Sequence, residues 1–242
     1  RVKVLQNGMD SSDASRVGPD HIATTEASTA TQIEVLCGPS TLLYGSGAIG
    51  GVVNVVDNRL PKTRQEGLSG RVSALHDTVS NERTISTDLN SGKDNFAWHL
   101  DAYSRKTDDY DVPEFTLDDG DVVDTLENSD IDSQGFTIGA GWIGDDVSLS
   151  FAYGRLETDY GIPGHAHGDH EEEEEEHHDD EEHTEEEHDE EESVFARMQQ
   201  DRFQSIVDWK NLTGWFTEAH WHNAYTDYQH SEIEEGEIGT TF

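Results

Sequence analysis

The sequence predicts an all-β fold whose strands cross a membrane as part of a barrel. Three observations carry this expectation. From residue 68 onward, apolar and polar residues alternate with period two, the pattern of half-buried strands. Between the second and seventh of these segments the connections are short and long in strict alternation. Outer-membrane barrels are built this way, with short turns at one end and long loops at the other. No apolar run approaches the ~20 residues of a transmembrane helix, so a membrane crossing within these residues would be made by strands; a soluble protein fits that absence too.

Residues 1–60 read differently, being rich in Gly, Ser and Thr with short apolar runs. Ile33-Glu34-Val35-Leu36 is a strand closed by Gly38-Pro39. The stretch from Gly45 to Gly51 is a flexible turn region, and Val52–Val56 is a β-branched strand. Gly45-Ser46-Gly47-Ala48-Ile49-Gly50 fits a dinucleotide-binding glycine pattern. That site needs a helix behind it to hold the pyrophosphate, and a strand follows instead.

The alternating region divides into seven strands, at about 68–77, 83–91, 95–106, 131–143, 147–157, 194–210 and 215–228. Phe96, Trp98, Leu100 and Ala102 share one face, with His99, Asp101 and Tyr103 opposite. Phe136, Ile138, Ala140 and Trp142 repeat the pattern, as do Val147, Leu149, Phe151 and Tyr153. Trp215, Ala219 and Trp221 oppose Glu218, His220 and His222. Ser91–Asn95, Gly144–Asp146 and Asn211–Gly214 are tight turns, whereas Thr107–Asp130 and Thr158–Ser193 are long. Asp118-Asp119-Gly120-Asp121 lacks EF-hand spacing, so Thr107–Asp130 reads as an acidic extracellular loop. Seven strands cannot close a barrel, and an open edge is not viable in lipid. The chain is therefore expected to be a piece of a longer protein, which also fits an N-terminus without signal-peptide features.

The formal net charge of −38 repels nucleic acid and attracts cations, so no nucleic-acid partner is expected. Nearly half of that charge lies in residues 165–192, where 18 Asp or Glu and 7 of the 13 His occupy 28 positions. Like-charge repulsion favours an extended segment. Its imidazoles and carboxylates suit zinc, copper(II) or nickel, and through the acids calcium or manganese. Candidate ligands are His165, His167, His170, His177, His178, His183 and His188. The reading is an exchangeable metal antenna, against a solvated acidic loop as the plainer alternative. Cys37 is the only cysteine, which excludes an intramolecular disulfide and a Cys-rich zinc motif. No nucleophile–base constellation is present, and the chain is not expected to be an enzyme.

The stretch from Ile33 through Gly38-Pro39, Leu43-Tyr44-Gly45 and Gly50-Gly51 to Val56 resembles the last part of the plug of a TonB-dependent outer-membrane receptor. The resemblance implies the C-terminal part of an α+β plug over residues 1–62, inside a barrel of 22 strands whose first strands occupy residues 63–242. It also implies an outer-membrane location in a Gram-negative bacterium, contact with outer-membrane lipid, and energy from the TonB complex acting on an N-terminal box. Cys37 stands where the family has an Arg that takes part in plug–barrel ion pairing.

Within that family the chain is most similar to the zinc receptors. Gly18-Pro19-Asp20-His21 resembles their plug motif, in which Asp and His ligate zinc. Asp159–His167 resembles the start of their His-rich extracellular loop, here spanning 158–193, and Tyr225–His230 a later strand end. The resemblance implies uptake of zinc or a similar divalent metal, with Asp20 and His21 as ligands and the remaining ligands on barrel segments beyond residue 242. Haem or a metal–siderophore complex as cargo, and a surface metal-binding protein that transports nothing, stay open. Glu218, His220 and His222, if they face the lumen, are either a relay for the ion or an ordinary polar wall. His99 and Asp101 carry the same two readings.

Overall fold

The computed structural model describes residues 2–12, 14–16, 21–116, 120, 122–163, 194–234 and 237–241. A small N-terminal sheet contains β1 (Val2–Gln6), β2 (Met9–Asp10), β3 (Gln32–Leu36) and β4 (Gly51–Val56), in the order β2-β1-β4-β3. β1 runs parallel to β4, and the other two pairs are antiparallel. Asn7 and Gly8 both have positive φ (53° and 79°), as a two-residue hairpin turn of the right twist requires. Two short 3-10 segments, Ala14–Arg16 and Pro39–Tyr44, complete this part.

The long strands form one antiparallel wall. They are β5 (Gly67–His76), β6 (Arg83–Lys93), β7 (Phe96–Lys106), then, after β8 (Tyr110–Thr116) and β9 (Val122–Leu126), β10 (Ile131–Ile143), β11 (Val147–Gly161), β12 (Phe195–Lys210), β13 (Glu218–Glu234) and β14 (Glu237–Thr241). The wall has eight strands in the order β14-β13-β12-β11-β10-β7-β6-β5. All seven expected strands are present. β14 is an addition, and β8 and β9 pair as a separate hairpin inside the acidic connection 107–130. β13 starts at Glu218, later than expected, so Trp215 and Phe216 lie in the turn before it; it also runs on to Glu234.

The two faces of the wall follow the alternation. Outward are Phe96, Phe136, Ile138, Trp142, Phe151, Phe203, Trp209, Trp221 and Tyr225, all exposed. Tyr153 lies between Phe136 and Phe203, with ring centroids 5.9 and 4.7 Å away. One row beyond, towards the long connections, the outward face turns charged with Arg155, Asp201 and Asp227, which are register partners. The apolar band therefore ends there, as a lipid-facing belt does at the polar interface.

The inward face is mostly small or polar, with Met198, Tyr160 and Ile206 as larger buried exceptions, and carries the N-terminal sheet. Ala97, Ala152, Ser133, Ser150 and Thr137 are buried. Gly139 and Gly141 on β10 let the chain at Arg59–Pro61 lie directly on the wall: a Cβ on Gly139 would collide with the Arg59 carbonyl oxygen, and one on Gly141 would stand 2.9 Å from that of Pro61. Overpacking of this kind costs about 1–3 kcal/mol. Gly139→Val is expected to lower the melting temperature and loosen the N-terminal sheet, read as faster proteolysis of residues 2–60. Unchanged proteolysis would show that the contact does not hold that sheet.

Polar contacts add direction. Arg202 donates from Nη1 to the Ser11 carbonyl at 2.7 Å and from Nη2 to that of Asp10 at 2.6 Å. Gln200 Nε2 donates to Thr24 Oγ1 at 3.0 Å, and Arg105 pairs with Glu26 at 2.9 Å. Arg59 pairs with Asp57 at 2.7 Å, and Asn7 Nδ2 donates to the same carboxylate at 2.8 Å. Cys37 is exposed at the end of β3.

Candidate metal centre

Three side chains meet where the N-terminal domain touches the wall above its apolar band. His21 belongs to the segment after the first 3-10 turn, and His230 and Glu232 sit near the end of β13. One ligand atom from each lies within 4.8 Å of the others. The His21 Nδ1 to Glu232 Oε1 distance is 4.0 Å. The two imidazole rings stand edge to face, with centroids 4.7 Å apart at 82°.

Strand periodicity explains why β13 contributes two of the three. His230 and Glu232 are two apart, so both point inward. Their partners on β12 are Met198 and Ala196, both 1% exposed. A register shift falls between Glu232 and Ile233, and such a bulge bends the strand locally. His230 is fully buried, and the His21 side chain is 7% exposed. Glu232 is the wettest of the three, at 29%.

Two imidazole nitrogens and a carboxylate oxygen match the N/O ligand set of zinc. They suit other divalent transition ions as well. In a tetrahedral zinc site donors about 2.1 Å from the ion stand roughly 3.4 Å from one another, so side-chain rotation must bring this trio closer. The carboxylate would offset the charge of a bound cation beside the two buried imidazoles.

His21 is the one expected site residue that the described structure places in this cluster. Asp20 lies outside the described residues, as do His165, His167, His170, His177, His178, His183 and His188. The barrel-side ligands were expected beyond residue 242, yet His230 and Glu232 stand beside His21 within this chain. Glu232 was missed outright. The signal for it is modest, a His-x-Glu pair at the same-face spacing of a strand.

Glu218, His220 and His222 do face inward, being register partners of Lys210, Asp208 and Ile206. His220 Nδ1 is held by Asp208 Oδ1 at 2.6 Å, and its Nε2 lies 3.7 Å from Glu218. At ten residues from His230 along β13, this group is about 33 Å away. His99 is buried between Asn90 Oδ1 at 2.9 Å and Asp101 Oδ2 at 2.7 Å, a closed network within the wall.

Residues 1–52 match the TonB-dependent Receptor Plug Domain family. The described residues take the fold of such receptors, a plug sheet lying against the inner face of barrel strands. The copper transporter OprC superposes with a TM-score of 0.66 over 96% of this chain and 30% of its own, at 16% identity. The FrpB iron transporter of Neisseria meningitidis gives 0.67 over 98% and 36%, at 12% identity. A mutant of the ferric enterobactin receptor PfeA of Pseudomonas aeruginosa, in complex with enterobactin, gives 0.62 over 96% and 34%, at 15% identity. The chain thus spans about a third of the length of each of these structures. In this frame His21 is a plug residue, and His230 and Glu232 belong to the barrel wall.

Proposed function

We propose that the chain is the C-terminal part of the plug and the first barrel strands of a TonB-dependent outer-membrane receptor that takes up zinc or a similar divalent metal. The observation that carries this reading is the convergence of plug His21 with wall residues His230 and Glu232. Asp20, adjacent in sequence to His21, is the proposed fourth ligand. A site split between plug and wall suits transport, because moving the plug separates the ligands and releases the ion. The acid- and His-rich loop captures cations and raises their concentration above the site. On this reading residues 1–62 are plug, residues 63–242 are barrel, and loop 158–193 is extracellular.

Copper is the main competitor, since the Irving–Williams order places it above zinc in a bare His site and OprC is named a copper transporter. The test is radiolabelled zinc uptake by zinc-starved cells expressing the full-length receptor, with and without TonB. Uptake is expected to need TonB, and to be competed by excess zinc but not by equal manganese. No uptake despite surface expression would overturn the reading in favour of a chelated cargo or a protein that only binds metal.

Deleting residues 165–192 separates capture from transport. Uptake at limiting zinc should fall several-fold, while the maximal rate at saturating zinc stays the same. An unchanged rate at limiting zinc would remove the antenna from the mechanism.

A further inference from the structure

We propose that Tyr160 is a positioning residue for the metal centre: its hydroxyl holds the Nε2 edge of His230, so that Nδ1 is the atom offered to the ion. The inference rests on the His21–His230–Glu232 reading above. The Tyr160 hydroxyl lies 3.1 Å from His230 Nε2. The two rings are nearly parallel, at 13°, with centroids 6.1 Å apart. A neutral imidazole has one N–H and one lone pair. When Tyr160 accepts the Nε2–H, the lone pair sits on Nδ1. Ligating histidines are commonly fixed in this way through their second nitrogen.

The reach of Tyr160 follows from the register. It pairs with Ala196 on β12, and Ala196 pairs with Glu232 on β13. Ala196 has no side chain beyond Cβ, so the Tyr160 ring can extend over it to the neighbouring strand. A positioning group must itself be held, and Tyr160 is only 4% exposed. It packs with Ile162, Val194 and Ala196, and Ile22 of the plug packs against that cluster.

The same cluster closes the stem of the acid-rich loop. Ile162 N–H donates to the Val194 carbonyl at 3.0 Å. Asn128 Nδ2 donates to the carbonyls of Ile162 and Val194 at 3.1 and 2.8 Å. The residue that orients His230 is therefore built into the base of the loop.

Two measurements on the purified full-length receptor test this. The first is a crystal structure with zinc, the ion located by its anomalous scattering. The second is zinc affinity, by competition titration, for the native receptor and for Tyr160→Phe. Phenylalanine keeps the ring and the stem packing and removes only the hydroxyl. Zinc is expected on His230 Nδ1, with Tyr160 still bonded to Nε2. Affinity should fall about 10- to 100-fold in Tyr160→Phe, with the metal-free melting temperature unchanged. Zinc on Nε2 with Tyr160 displaced, an unchanged affinity, or a lowered metal-free melting temperature would each overturn the positioning role while leaving the metal site standing. No zinc at His21, His230 and Glu232 would instead remove the site itself, and the inference with it.

Discussion

Replacing His230 with alanine in the full-length receptor should weaken zinc binding roughly 100-fold, with the plug and wall still folded. The magnitude follows from protein zinc sites of four ligands, whose binding free energy of about 10–16 kcal/mol at neutral pH corresponds to about 3 kcal/mol for each ligand. His230 is fully buried beside His21, so no water-exposed side chain nearby can take its place without rearrangement. His21→Ala should behave alike, because in the proposed site the plug and the wall each supply part of the ligand set. The informative comparison is His76→Ala, an exposed histidine on β5 at the edge of the wall, which should leave affinity unchanged. Competition titration of the purified variants reads all three. Native affinity in His230→Ala would mean that the ion is held elsewhere.

The wall was legible because its two faces face different solvents. Lipid selects aromatic and aliphatic residues on one side, and contact with the plug selects small or polar ones on the other. Phe136, Ile138, Ala140 and Trp142 against Gly139, Gly141 and Thr137 display that contrast in the bare sequence. Where the contrast fades, so did the reading. β13 runs on from Tyr228 to Glu234, past the main apolar band, where Gln229, His230, Ser231 and Glu232 are polar on either face and only Ile233 is apolar. β8 and β9 sit within an acidic segment whose Tyr110, Phe115 and Val122 are too sparse to set a period. The β1–β2 turn was readable in principle, since Asn7-Gly8 directly after the alternating Val2–Gln6 run is a strong local hairpin signal.

The candidate metal centre was half legible for a different reason. Asp20-His21 stands out as a motif because the two residues are adjacent. His230 and Glu232 have the residue types but no neighbours in sequence to mark them. Their meeting with His21 depends on how far β13 extends past the lipid belt and on where the plug rests, and both are properties of the tertiary fold. Tyr160 is less visible still. Its role comes from a diagonal reach across Ala196, set by the pairing of three strands.

Arg202→Met should loosen the plug more than any other single change in the wall. Arg202 is 2% exposed, and its guanidinium donates to two plug carbonyls, Asp10 and Ser11, and to Thr226 on β13. Hydrogen bonds from a charged donor contribute about 1.5–3 kcal/mol each. Methionine keeps much of the aliphatic stem but removes both bonds to the plug; Gln200 Nε2 still donates to the Ser11 carbonyl at 3.2 Å, whereas the Asp10 carbonyl loses its bond from Arg202, so the expected loss of plug docking is about 3 kcal/mol. Arg202→Lys should fall between, since one ammonium cannot reproduce the planar fork that reaches two carbonyls at once. In cells, a loosened plug should admit a hydrophilic antibiotic too large for general porins, and sensitivity to it should rise in the order Arg, Lys, Met. His230→Ala removes a ligand without touching this anchor and should leave sensitivity at the native level. If Arg202→Met is no more sensitive than the native receptor, the plug is held mainly by the close approach of Arg59–Pro61 to Gly139 and Gly141. The Gly139→Val variant would then be the leaky one.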